Sequence, residues 1–492
     1  MEKTEKSILK KQVSLNQILP IVYVTISILW GIPSILYLAK NKTIFYFIGL
    51  FSYIFFNPNT KVISYIDTAL YLLLVFSLFT TYIYILKRSK YIFNNKKKMF
   101  AFILIIGILF CFIIPSTSLD VYSYIGNGWV DSNYHKNPYY TTVQEILNNN
   151  SDEMLRKVAL CWRTETVVYG PAWSLICKVL TKISFGNITN ALYIFKIANL
   201  IVFLSCSFLV QKITRKRFFT LLFALNPFIL FEFLANAHND IYLVFLILLA
   251  IYFIKNKKNV IASVACIAIA TALKYLSILL LPFILAYALR NEDIKNKIKK
   301  IIVYVIEFIT IIASFYLIYV KDLKVLSGIF IQQNKYGRSI ALALWYLLNG
   351  DEKAMNIVKI ASLSIFAFCY ISIVYKMLFS KNTEKISFIK TMRIYQIFLL
   401  IFTFILITNF NAWYLIWLFP TIMWQKSKNI QDTLSLSLGV MLSYAISYAT
   451  KIDNETVGIQ YLVIMFIPLI ARRIIKFLKI KRNNDKGVEN VI

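Results

Sequence analysis

Histidine is almost missing from this chain: His135 and His238 are the two among 492 residues, which excludes a multi-histidine metal centre. Cysteine is sparse as well. The six, at 111, 161, 177, 206, 266 and 369, lie mostly inside apolar runs and form no CxxC pair and no metal-ligand pattern. Cys161 and Cys177 are close enough in sequence to form a disulfide, or they are simply small packed residues. Glycine is scarce, 13 in all, and nowhere forms a P-loop or a Rossmann fingerprint, so a soluble nucleotide donor has no visible binding loop. Internal repeats and low-complexity tracts are also lacking. Acidic residues number 23 against 54 Lys and Arg, leaving a net charge of +31.

Apolar residues dominate what is there. With 59% hydrophobic residues and a mean hydropathy of +0.66, the chain is too apolar for a soluble globular protein. Runs of membrane-spanning length alternate with short charged segments, the pattern of an all-α polytopic membrane protein. The bases cluster at Lys87 to Lys98, Lys212 to Arg217, Lys255 to Lys258, Arg290 to Lys300 and Arg472 to Lys486. Such clusters mark cytoplasmic loops that meet anionic lipid headgroups. No aromatic-basic surface module accompanies them, so nucleic acid is not an expected partner.

Placing these clusters in the cytoplasm gives spans at about 17–39, 62–86, 99–116, 188–210, 217–234, 239–255, 299–320, 355–379, 391–409, 411–425, 432–450 and 457–478. The run 259–289 lies between two basic segments and reads as two short helices meeting near Lys274-Tyr275. The segment 43–56 reads as interfacial or re-entrant. Met1 to Gln17 carries four Lys and two Glu ahead of an apolar run without a cleavage site, so that run reads as a span. The expectation is one integral domain, 1–492, of roughly 12–14 helices with both termini cytoplasmic. The abundance of Lys, Ile and Asn suggests an AT-rich bacterial genome and so a bacterial plasma membrane. Its extracytoplasmic face carries 117–187, Asn236 to Asp240, 321–352, the turn Asn409–Asn411 and Lys451 to Glu455.

Polar chemistry gathers on that face. Asp120 directly follows the apolar run Met99 to Ile114 and opens a long loop rich in Tyr, Trp and Asn. It reads either as the N-cap of a helix or as a carboxylate lining a cavity. Tyr122, Ile125 and Trp129 share a helical face suited to an interfacial helix, which Asn137-Pro138 ends; Tyr124, Asp131 and His135 lie along the same stretch. Tyr169 precedes Gly170-Pro171, a helix start. Glu232 lies inside a span near its outer end, where a carboxylate is costly unless used. His238 and Asp240 orient a substrate hydroxyl or form a satisfied polar turn. Lys274 interrupts its apolar run and either snorkels to headgroups or contacts a lipid phosphate. The loop 321–338 bears Lys321, Lys324, Lys335 and Arg338 against the single acid Asp322. It meets anionic lipid or, through Gln332 to Arg338, grips a phosphate with the guanidinium fork. Trp413, Tyr414 and Trp417 belong to an aromatic belt or stack on a sugar ring.

Taken in order, these motifs resemble the GT-C class of membrane glycosyltransferases that use polyprenol-phosphate sugars. They are most similar to the bacterial alpha-mannopyranosyltransferases of lipoglycan synthesis and to glycosyltransferase family 87. The resemblance rests on Asp120-Val121-Tyr122-Ser123-Tyr124, on Tyr169-Gly170-Pro171-x-Trp173, on His238-Asn239-Asp240, on the Lys274 segment ending at Pro282, and on Trp413-Tyr414-Leu415-x-Trp417-x-x-Pro420. Such proteins carry an acidic residue in the first large extracytoplasmic loop, and Asp120 matches that place.

The resemblance implies a polyprenyl-phosphate hexose donor, mannose favoured, and a lipid or glycan acceptor among the membrane lipids. The loop 117–187 would be catalytic and 321–352 would bind phosphate. Asp120 would be the general base of an inverting transfer, with Arg338, Lys335 and Lys274 at the donor phosphate. Tyr122, Tyr124, Asp131, His135, Tyr169, Glu232, His238, Asp240, Trp413 and Tyr414 would serve sugar or acceptor. No metal or other cofactor is expected, since basic side chains can neutralise phosphate. The competing readings are a transporter or flippase for lipid-linked saccharides and a polysaccharide polymerase or ligase.

Overall fold

The structure, a computed structural model, describes residues 2–41, 61–158, 162–326, 328, 335–381, 383–446 and 455–489. The expected interfacial segment 43–56, Cys161, the Gln332 to Asn334 part of the basic loop and the turn at Lys451 to Asn454 lie outside the described residues. Within them the protein is all-α and polytopic, and the sole sheet-like contact is an isolated parallel bridge between Gly337 and Asn409. Each apolar run marked in the sequence becomes a helix or a pair of helices.

Among the described residues five helices are long and apolar enough to cross a membrane: Leu15–Ile35, Tyr65–Lys87, Ile188–Thr214, Glu352–Phe379 and Phe388–Leu406. The pair Arg217–Ala224 and Pro227–Ala235, bent by 48°, makes a sixth if counted as one. Ile294–Tyr316 and Glu455–Glu489 are also unbroken helices, whereas other apolar stretches are divided into shorter pieces by residues that do not continue a helix. Pro227 lacks the amide that would bond back, so the chain bends there. Lys274 is fully extended, with φ −153° and ψ 121°, and separates Val260–Leu273 from Tyr275–Leu280 as the sequence predicts. Helix Glu352–Phe379 leaves Ile357, Ile360, Ile365, Phe368 and Ile371 more than half exposed, an apolar surface that water would penalise and lipid would not.

Among the described residues three apolar cores result, the smallest around Tyr139, Val167, Tyr319 and Val325. The largest runs through the bundle. The second lies within the loop 117–187 and the helix ends beneath it. Four short helices build that loop: Asp120–Ser132, Val143–Asn149, Glu153–Val158 and Pro171–Lys182. Asp120–Ser132 packs into this second core, with Tyr122, Ile125 and seven other of its residues buried. The reason is Gly128, whose missing side chain lets the helix cross Pro171–Lys182 closely; a Cβ there would stand 2.5 Å from the Cys177 carbonyl oxygen. Asp152 ties the far end down, accepting 2.8 Å hydrogen bonds from Trp129 Nε1 and the Tyr134 hydroxyl.

Candidate active site

Burying one face of Asp120–Ser132 leaves the other free. Asp120, Ser123 and Asn127, spaced three and seven residues along the helix, share that face and line a cavity of about 450 Å³. Asp120 occupies the first helical position, and its side chain makes no capping hydrogen bond. The capping reading therefore falls away: Ser118 supplies the local oxygen, accepting from the Asp120 amide at 3.2 Å. The carboxylate faces Tyr169 instead, whose hydroxyl donates to Oδ2 at 3.3 Å.

Tyr169 is held there by a backbone clamp. The Gly170 amide donates to the Leu273 carbonyl at 3.0 Å, and a Cβ on Gly170 would stand 2.1 Å from the Ala272 carbonyl oxygen. Only glycine permits this approach. The clamp joins the loop to the break at Lys274 and so brings Tyr169 and Lys274 to one wall. The Lys274 ammonium donates to Asp240 Oδ1 at 2.7 Å and lies 4.4 Å from the Tyr414 ring centre, 5.1 Å from Trp417 and 5.9 Å from Tyr169. Trp417 Nε1 also donates to Asp240 Oδ1, at 2.6 Å. An ammonium has three protons, so the pair with Asp240 leaves donors for the cavity.

Behind Asp120 lies His238, with Nδ1 3.6 Å from Asp120 Oδ2 and Nε2 3.4 Å from Glu232 Oε2. The imidazole stacks on Trp413 at 3.7 Å between ring centres. Burial first, and the Lys274 charge second, push its pKa well below the ordinary histidine range, so the ring is neutral. Asn236 braces this cluster. Its side-chain amide donates to Thr117 Oγ1 at 2.7 Å and Glu232 Oε2 at 3.2 Å, and its oxygen accepts from the Ser116 amide at 3.2 Å. Burial also raises the Asp120 pKa to about 6, against the lowering pull of Lys274, Tyr169 and Ser118. A carboxylate in that range accepts a proton near neutral pH more readily than an ordinary one.

The cavity continues between apolar walls. Met355, Val358 and Leu363 of helix Glu352–Phe379 form one, and Phe402, Ile405 and Leu406 another. Lys359 projects from the same helical face as Met355 and Leu363 and lies 4.6 Å from the Tyr336 ring centre.

Of the residues singled out in the sequence, Asp120, Tyr169, Lys274, Trp413 and Tyr414 line this cavity. Tyr124, Glu232, His238 and Asp240 are buried behind its wall. Lys335 reaches it indirectly, through an ion pair to Glu165 at 2.7 Å and a contact with Trp162, 4.3 Å to the ring centre; both partners are lining residues. Four others are elsewhere. Asp131 pairs with Lys178 at 2.8 Å and accepts from the Tyr319 hydroxyl at 2.7 Å. His135 is exposed, in a left-handed turn with φ 52°. Tyr122 is packed into the second core. Arg338, also left-handed with φ 50°, lies over the Tyr461 ring at 4.4 Å and does not line the cavity.

Trp417, read with Trp413 and Tyr414 as a belt or sugar-stacking residue, also lines the cavity, whereas sequence reasoning missed Ser123, Asn127, Lys359 and Asn411 as lining residues. For the first two the signal was available, in helical spacing from Asp120. Lys196 and Asn199 were also missed. Lys196, buried in helix Ile188–Thr214, donates to the carbonyls of Ile113 at 2.6 Å, Leu234 at 3.1 Å and Ala235 at 2.5 Å. Asn199, one turn on, donates to the carbonyls of Phe233 at 2.8 Å and His238 at 3.0 Å. Together they fix the turn that carries Glu232 and His238. Among the described residues no group of three or more His, Cys, Asp or Glu side chains is arranged to hold a metal ion.

Comparison with known proteins agrees with the resemblance drawn from the motifs. Residues 50–290, just under half of the chain, match the family model described as "Alpha-(1->6)-mannopyranosyltransferase, N-terminal domain". That stretch contains Asp120, Tyr169, His238, Asp240 and Lys274 and stops short of Trp413. Over 178 residues the chain is 29% identical to Alpha-(1->6)-mannopyranosyltransferase A of Corynebacterium glutamicum, a stretch that covers 35% of each protein. The alignment thus spans about a third of that relative's length. No solved structure matches the chain.

Proposed function

We propose that this chain, whose residues 50–290 resemble the N-terminal domain of the alpha-(1->6)-mannopyranosyltransferases, is a membrane mannosyltransferase. It takes mannose from a polyprenyl-phosphate donor and places it on a lipid or glycan acceptor at the extracytoplasmic face. The observation that carries the reading is the juxtaposition of Asp120 and Lys274 in one cavity that has aromatic and polar walls at one part and apolar walls at another. A sugar phosphate needs the first set and a prenyl chain the second.

The acceptor oxygen attacks the anomeric carbon while Asp120 takes its proton, and the bond from that carbon to the phosphate oxygen breaks. Charge develops on the departing polyprenyl phosphate, where the Lys274 ammonium stabilises it. One displacement inverts the centre, so a beta-linked donor yields an alpha product. Tyr169 orients the carboxylate from the cavity side, and neutral His238, braced by Glu232 and Trp413, orients it from behind. Asp240 acts by positioning Lys274. Since Lys274 and, at the rim, Lys335 supply positive charge, the proposal includes no resident metal. Transfer that persists in chelator supports this, and transfer abolished by chelator and restored by a divalent ion overturns it.

The decisive experiment reconstitutes the protein with polyprenyl-phosphate mannose or glucose and extracted glycolipid acceptors. The wild type is expected to consume the mannose donor, and Asp120→Asn to lower transfer by about 10²–10⁴-fold. The base must be ionised, so kcat/KM rises with pH through about 6, the Asp120 value, and levels off above it. Unchanged transfer in Asp120→Asn removes the general-base role. A wild type that consumes no lipid-linked sugar removes the enzyme reading and favours the transporter.

A further inference from the structure

A second built site lies at the opposite ends of the helices that carry the first. Helix Ile188–Thr214 bears Lys196 beside the catalytic turn and Lys212 near its other end. Sixteen residues at 1.5 Å each separate them by about 24 Å. Helix Lys96–Cys111 likewise leads from its Lys96 end toward Asp120, and Asp240–Tyr252 leads from Asp240 toward Lys257. Where the three distant ends meet they enclose a pocket of about 810 Å³ lined by Lys96, Lys97, Lys212, Arg215 and Lys257. No carboxylate lines it, and among the described residues none of the five makes an ion pair.

Helix-end electrostatics does not account for this cluster. Cations near the C-terminal ends at Thr214 and Lys257 complement the helix dipole, but Lys96 and Lys97 stand in the first turn of their helix, at the positive end, with no acidic residue beside them. An anion between the three helix ends would resolve the repulsion. The pocket also shares Phe100 and Phe208 with an apolar groove of about 620 Å³ that runs on between Leu104, Leu204, Leu209 and Phe245. Cation cluster and groove are thus continuous, and the groove is open on the lipid-facing side, where Leu104 and Phe208 are exposed.

We infer that this pocket and groove bind an anionic glycerophospholipid, with its phosphate among Lys97, Lys212 and Arg215 and one acyl chain along Leu104 and Phe208. The site is distinct from the donor cavity and does not depend on the proposed reaction. A lipid seated there bridges the three elements that set Asp120, His238 and Asp240 in place.

The test is lipid retention by the full chain in detergent, counted by native mass spectrometry while phosphatidylglycerol or phosphatidylcholine is titrated in. Phosphatidylglycerol is expected to be retained at one site and phosphatidylcholine not. Lys97→Gln/Lys212→Gln/Arg215→Gln is expected to weaken retention about a hundredfold, at about 1 kcal/mol per base removed. Ser205→Trp, which fills the groove and keeps every charge, is expected to weaken it too. Lys381→Gln/Lys385→Gln, which removes exposed charge elsewhere, is expected to leave it unchanged. Equal retention of the two lipids, a triple variant that binds like the wild type, a tight Ser205→Trp variant, or an equal loss in the control would each overturn the proposal. The readout does not involve sugar transfer, so its failure is separable from failure of the enzymatic reading.

Discussion

Replacing Lys274 by Met tests whether its ammonium acts on substrate or only on Asp240. In the structure it does both: it faces the cavity, and it pairs at 2.7 Å with a carboxylate that has no exposed side-chain surface. Removing it leaves Asp240 buried with Trp417 as the remaining donor to Oδ1. Losing one partner of a buried ion pair typically costs about 3–5 kcal/mol, a large share of the roughly 5–15 kcal/mol that holds a domain folded. Lys274→Met alone should therefore unfold at markedly lower temperature. Adding Asp240→Asn removes the stranded charge while keeping an oxygen for Trp417, and most of the stability should return. Transfer should not return with it. Without the cation the departing phosphate loses a donor worth about 10²–10³ in rate, in the single and the double variant alike. The pH profile gives a second readout. Lys274 pulls the Asp120 pKa down, so its loss should move the rising limb above about 6. The shift should be smaller in the double variant, where the opposing push of Asp240 is also gone. Thermal unfolding in detergent and initial transfer rates from about pH 5 to 8 measure all of this. A double variant that recovers stability and full transfer together would reduce Lys274 to a structural partner and refute the phosphate role.

Two further outcomes separate the site from its surroundings. Gly170→Ala forces a Cβ to within 2.1 Å of the Ala272 carbonyl oxygen, so the clamp must open at a cost of about 1–3 kcal/mol. Tyr169 and Lys274 move apart with it, and both unfolding temperature and transfer should fall; a variant unchanged in both shows that the clamp does not set the site. Asp131→Asn weakens the contacts to Lys178 and Tyr319 and should cost about 1–2 kcal/mol of stability while transfer per folded molecule stays at the wild-type rate. A selective loss of transfer would return Asp131 to the active site.

What the sequence discloses about this protein is mostly local. Asn226-Pro227, Gly170-Pro171 and the lone polar break at Lys274-Tyr275 act on the few bonds around them, and each marks a bend or a helix start where the structure has one. Asp120 was conspicuous for the same reason, a charge immediately after an apolar run. Pairing is another matter. Asp240 meets Lys274 across 34 residues and Trp417 across 177, and no spacing rule connects them. Asp131 shows the consequence: its neighbours in sequence share its helix with Asp120, yet Tyr319, 188 residues away, decides its role. Arg338 shows it again. A guanidinium in a basic loop has the chemistry for phosphate, but Arg338 lies over the Tyr461 ring and is not among the residues that line the cavity.

Buried polar groups offered a middle course. Lys196 and Asn199, three residues apart in an apolar run, are too costly to bury without partners. Helical spacing puts them on one face, so a common binding target was inferable from sequence even though its identity was not. That target is the unpaired carbonyls where the chain turns at Leu234 to His238. The same cost argument applied to Glu232 points to the same turn. Lys196, Asn199 and Glu232 thus brace the turn behind Asp120, where rigidity is needed to hold one carboxylate against a substrate.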